Sequence, residues 1–169
     1  MRPDAEVVAR QIGRTPRGTW RVVSRCEYGF PRAIAVAPLL AGGAPFPTTF
    51  WLTCPHLVTA VHALESAGEH RVWAQRAASD SGLASRLRLA DAAYRAARRS
   101  EGGGTDPCET VGVAGQADPL AVKCLHARVA AALAGIGDPI GEAVLGQLES
   151  CGTPHACDGS PCGPAVAAS

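Results

Sequence analysis

The segment Thr48-Thr49-Phe50-Trp51-Leu52-Thr53-Cys54-Pro55-His56-Leu57-Val58 changes character at Cys54. Before Cys54, aromatic and β-branched residues favour a strand over residues 48–53. After it, Leu57, Val58, Val61 and Leu64 recur on one side of a helix that Gly68 ends. Pro55 suits the first helical position, where its missing N–H is no loss, so Cys54 falls at the N-cap.

Upstream, residues 19–25 and 32–37 read as two further strands, joined by Cys26-Glu27-Tyr28-Gly29-Phe30-Pro31. Three strands in succession predict an antiparallel meander. Six of the eight aromatic residues lie between Trp20 and Trp51, so this sheet supplies the densest part of the core. A short helix over residues 4–12 precedes it, with Val7, Val8 and Ile12 on one face and Gly13 just past its end.

Downstream, Leu83, Leu87, Ala90, Tyr94 and Ala97 define a helix over residues 81–99, its Arg-bearing face turned to solvent. Residues 101–116, with three consecutive glycines, read as a flexible loop. Asp118-Pro119 and Asp138-Pro139 each pair a capping residue with a first-turn proline, opening helices to Leu133 and Leu148. The fold class is therefore α+β: a small antiparallel three-stranded sheet packed against four to five helices. It forms a single domain over residues 1–149, followed by a disordered Gly/Pro/Ala-rich tail over residues 150–169.

Sixteen basic residues against fifteen acidic ones leave the 169-residue chain at net +1, which excludes a uniformly basic nucleic-acid coat. The balance is uneven. Seven Arg against three acids give +4 over residues 1–32, and the same counts give +4 over residues 69–100. Residues 33–68 hold only Glu65, and residues 101–169 reach −6. No membrane span or signal peptide is visible, so the chain reads as a soluble cytoplasmic domain with no membrane partner.

The seven cysteines are the main chemical clue. An odd number without an export signal points to reduced thiols or metal ligands. Cys26 enters the hairpin turn, Cys54 caps a helix, and Cys124 falls in the second turn of the helix that opens at Asp118-Pro119. A thiol at a helix N-terminus is drawn toward thiolate, which makes Cys54 the best single candidate for a reactive or ligating residue. Cys26, Cys54 and Cys124 are candidate metal ligands for zinc, with His126 as a weak fourth, or for an iron–sulfur cluster. On a regular helix Cys124 and His126 point apart, so sharing one ion requires irregular backbone there. Lys123, the sole Lys of the chain, directly precedes Cys124 and joins Cys54 as a candidate catalytic residue. Cys108 falls in the flexible loop, and Cys151, Cys157 and Cys162 are incidental thiols of the tail.

A second reading comes from the Arg residues of the first segment, interleaved with Trp20 and Tyr28. Arg14, Arg17 and Arg25 are candidate anion-binding residues for phosphate or nucleic acid, the latter the less favoured partner. A third reading is a non-catalytic interaction protein with buried cysteines. No phosphate-binding glycine loop, nucleophile elbow or zinc-protease motif is present.

Three segments together carry a resemblance: Arg10-Gln11-Ile12-Gly13-Arg14-Thr15-Pro16-Arg17-Gly18, then Phe46-Pro47-Thr48-Thr49-Phe50-Trp51-Leu52-Thr53-Cys54-Pro55, then Lys123-Cys124-Leu125-His126. In order and spacing the chain resembles the bacterial domain of unknown function family 501 over residues 6–148. The resemblance implies a small cytoplasmic protein and no established activity. The Gly-rich residues 99–117, with Cys108, depart from the family pattern.

Overall fold

The computed structural model describes residues 3–148. The elements follow in the order α1 (Asp4–Ile12), β1 (Trp20–Arg25), β2 (Pro31–Val36), β3 (Phe50–Leu52), α2 (Pro55–Ser66), α3 (Glu69–Ser79), α4 (Ser81–Glu101), α5 (Leu125–Leu133) and α6 (Pro139–Gln147). A 3₁₀ turn, Val113–Gly115, lies between α4 and α5. The expected α+β architecture is present, with six helices rather than four or five. The expected tail and its cysteines lie outside the described residues. No helix among the described residues is long and apolar enough to cross a membrane.

The sheet is an antiparallel meander in the order β1-β2-β3. Central β2 pairs Ile34 with Val22 on one side and with Trp51 on the other. The register to β1 slips between Val22 and Arg25 at a bulge. Alternation sends Ile34, Val36 and Trp51 to one face, where Val8 and Ile12 of α1 cover them. Ala35 and Phe50 face the other side, against Tyr94 of α4 and the alanines of α5. Small residues on α5 let the helix approach the sheet closely. A second cluster, including Trp73, Leu87, Leu125, Val129 and Ile140, joins the helices beyond.

Three sequence expectations need correction. α3 escapes a reading that treats Gly68 only as a helix end. Gly68 adopts φ +90° and serves as the N-cap of the next helix, which buries just Trp73 and Ala77. Its apolar stripe is too thin to announce it.

Second, the helix expected from Asp118-Pro119 starts only at Leu125. Asp118 accepts the Leu120 N–H in a local turn. The buried Arg128 guanidinium then takes the carbonyls of Pro119 and Ala121, which a helix would have used internally. Cys124 is thus the N-cap of α5, in extended conformation, rather than a second-turn residue.

Third, the Gly-rich loop is pinned. Arg98, wholly buried one turn beyond Tyr94 on α4, pairs with Asp106 at 2.9 Å and donates to the carbonyls of Cys108, Val111 and Pro47. A buried guanidinium is tolerated because its donors find acceptors.

Candidate metal centre

β3 delivers the chain straight into α2. Cys54 sits at the α2 N-cap with Pro55 at the first turn, as the sequence implied. Cys54 is buried beside Leu57, and Cys26 and Tyr28 pack against the same cluster. Cys124 packs with a different cluster, that of Phe50, Tyr94 and the alanines of α5, at the start of α5. The three cysteines expected to share a metal are therefore not brought together. Among the described residues, the sole trio of His, Cys or acidic ligand atoms lying within 4.8 Å of one another is Glu65, Cys124 and His126. Neither an iron–sulfur cluster nor a closed three-cysteine zinc site has its ligand set there.

The trio arises where α5 docks against α2. Glu65, near the end of α2, accepts the Leu125 backbone N–H at 2.5 Å, so its carboxylate caps α5 from outside. His126 Nε2 lies 3.2 Å from the Val58 carbonyl, also on α2. A carbonyl can only accept, so Nε2 carries the proton and Nδ1 faces the other two groups. His126 Nδ1 is 3.2 Å from Glu65 Oε2 and 4.0 Å from Cys124 Sγ. The extended backbone at Cys124 permits this approach, which a regular helix forbids.

All three side chains are half-buried. The Cys124 sulfur is the main influence that raises His126 to about 9; the Glu65 carboxylate and Val58 carbonyl add to it against the opposing effect of burial. Burial pushes Glu65 upward, but the Leu125 N–H and His126 outweigh it and hold the carboxyl below its ordinary value. Imidazolium and carboxylate therefore form an ion pair.

Two cavities share Phe46 and Trp51, and one of them borders Cys124 and His126. One, of about 280 Å³, is mostly apolar; Phe46, Phe50, Trp51 and Leu52 line it together with Cys124 and His126. All three residues of β3 line it, and β3 is an edge strand with no second strand neighbour among the described residues. The other, of about 180 Å³, is lined by Arg14, Arg17, Val36, Leu40, Phe46 and Trp51.

The family described as "Protein of unknown function (DUF501)" matches residues 22–146. The chain belongs to the DUF501 family. The match takes in the strand-to-helix segment, the Lys123–His126 segment and the Gly-rich residues 99–117; the Arg10–Gly18 segment precedes it. No curated protein and no solved structure matches this DUF501 chain.

The remaining sequence candidates separate. Arg25 pairs with Asp4 at 2.6 Å and donates to the Gly29 carbonyl, so it does not join Arg14 and Arg17. Lys123 is exposed and lines neither cavity. Glu65 is the residue that sequence reasoning missed as a ligand. The signal was present, since Glu65 is the sole acid in residues 33–68. Its partner lies sixty positions away, which no local spacing reveals.

Proposed function

We propose that this DUF501 protein binds a single divalent metal ion, zinc by preference, through Glu65, Cys124 and His126, and uses it catalytically. The observation that carries the reading is the convergence of His126 Nδ1 on a carboxylate and a thiol while Nε2 is held by the Val58 carbonyl. A histidine whose second nitrogen is fixed by a backbone carbonyl is the usual arrangement of a metal ligand. Thiolate, imidazole and carboxylate are all zinc donors, and three protein ligands leave one position of a tetrahedron open. Ordinary zinc bond lengths space nitrogen and oxygen about 3.3 Å apart, and sulfur and nitrogen about 3.6 Å apart, across a tetrahedral edge. The corresponding separations are 3.2 Å and 4.0 Å, so a small movement of Cys124 completes the set.

Cys124 and His126 border the apolar cavity, so a molecule held there reaches the open position. Bound zinc would supply a Lewis acid and an activated water in a site that Phe50, Trp51 and Leu52 keep poorly hydrated. Glu65 and His126 then exchange their mutual ion pair for bonds to the metal.

The test is elemental analysis of the full chain purified without chelator, followed by zinc titration against a chromophoric chelator. About one zinc per chain is expected. Cys124→Ser, His126→Ala and Glu65→Gln lose it while keeping the wild-type far-UV spectrum; Cys26→Ser and Cys54→Ser retain it. A wild-type chain that takes up no zinc refutes the proposal.

A second reading rests on the same geometry without metal. A thiol beside an imidazolium is a good nucleophile, and Cys124 would then alkylate faster than Cys26 or Cys54. Protection of Cys124 by zinc favours the metal reading over this one.

A further inference from the structure

We infer that the cavity lined by Arg14 and Arg17 is an anion subsite, and that the substrate is a small phosphate ester whose apolar part lies over Trp51 toward Cys124 and His126. The inference rests on the reading of Cys124 and His126 as the reactive centre and adds the class of molecule that meets it.

The first observation is charge left over. Arg21, Arg25, Arg95, Arg98, Arg99 and Arg128 each pair with a carboxylate. Arg14 and Arg17, like six other arginines, are in no such pair among the described residues; what sets these two apart is that both line the 180 Å³ cavity. Among the described residues no acidic side chain lines either cavity, so no carboxylate of theirs competes there with an incoming anion. A guanidinium fork matches a carboxylate or a phosphate, and two forks together suit a phosphate, which offers three oxygens.

The second observation is preorganisation. The Arg14 guanidinium stacks 4.8 Å above the Trp51 ring, which restricts its orientation. Pro16, buried between the two arginines, restrains the backbone that carries them. Gly13, at φ +71°, ends α1 and turns the chain into this segment.

The third is adjacency. Phe46 and Trp51 line both cavities, with ring centroids 5.6 Å apart. A molecule anchored at Arg14 and Arg17 passes over these rings into the apolar cavity beside Cys124. Each cavity alone is smaller than the roughly 300–1,000 Å³ usual for ligand sites, whereas the two together fall within that range.

The experiment is calorimetric titration of the zinc-treated full chain with phenyl phosphate, inorganic phosphate and benzyl alcohol. Phenyl phosphate should bind tightest, because it alone spans both cavities. The exposed pair Arg14→Gln/Arg17→Gln should weaken it by about tenfold or more, as expected for loss of charge-assisted hydrogen bonds, with zinc stoichiometry unchanged. Phenyl phosphate affinity equal in wild type and double variant, or no binding at millimolar concentration, overturns the inference and leaves the metal reading standing. Steep salt-dependent RNA binding without phenyl phosphate binding also overturns it, in favour of a polyanion surface. Arg-dependent phosphate binding in a chain that takes up no zinc refutes the metal reading and leaves the anion subsite.

Discussion

Tyr94 shows how one polar atom is placed inside an apolar layer. Its hydroxyl accepts the Thr49 N–H at 2.9 Å just before β3, while its ring meets Phe50 edge-on. Burial raises its pKa above the ordinary value, and the Thr49 N–H only partly offsets this. The sign follows directly. The unfolded chain begins to lose the phenolic proton near pH 10, while the folded chain keeps it, so stability falls as pH rises beyond about 10 and is unaffected below. Tyr94→Phe should remove that alkaline slope and cost about 1–3 kcal/mol at neutral pH, because the Thr49 N–H loses its acceptor. Urea titrations of both proteins at pH 7 and above pH 10 check both effects; identical alkaline slopes would contradict the assignment. At the candidate metal centre, Glu65→Gln keeps the size of the side chain and removes its charge. It should lower zinc affinity by more than about tenfold, since loss of even an outer partner of a metal ligand costs that much.

Among the helix pairs, α5 and α6 make the most extensive contact. A Cβ on Gly141 would lie 2.1 Å from the Arg128 carbonyl oxygen, so only glycine fits where the helices cross. The same contact is locked by a buried pair: Arg128 donates to Asp138 at 2.9 Å, and Asp138 also caps α6 by accepting the Ile140 and Gly141 N–H groups. Gly141→Ala should cost at least about 1–3 kcal/mol through overpacking, read as a lower denaturation midpoint. Arg98 plays the corresponding part for the segment between α4 and α5. Arg98→Lys keeps the charge but cannot reach Asp106 and three carbonyls together. Limited proteolysis should then cut within residues 102–112, and the wild type should resist cleavage there. Equal resistance would show that the loop is held by something other than Arg98.

At the scale of the whole molecule, the candidate metal site joins two helices that pack on different neighbours. Glu65 belongs to α2, whereas Cys124 and His126 begin α5, which lies on the sheet. A metal held there would cross-link α2 to α5 and would bind only the folded chain. Zinc at about a hundred times its dissociation constant should therefore add about 2.7 kcal/mol of stability, seen as a rise in melting temperature that EDTA reverses. Cys124→Ser should melt at one temperature with or without zinc.

Much of this architecture was legible locally. The period switch at Cys54-Pro55, the αL Gly13 and the Asp138-Pro139 cap are short-range signals, and each marks the boundary it implies. Hydrophobic period and cap chemistry act within a few residues, so a linear reading captures them. The course of residues 119–124 was not legible, because Arg128 decides it from outside the segment. Nor was the grouping of the site. The order of residues marked Cys124 and His126 as candidates and singled out Glu65 as an isolated acid. It also grouped Cys124 with Cys26 and Cys54, which the packing separates. A ligand set depends on which elements touch, and here that was decided by the docking of α5 onto α2.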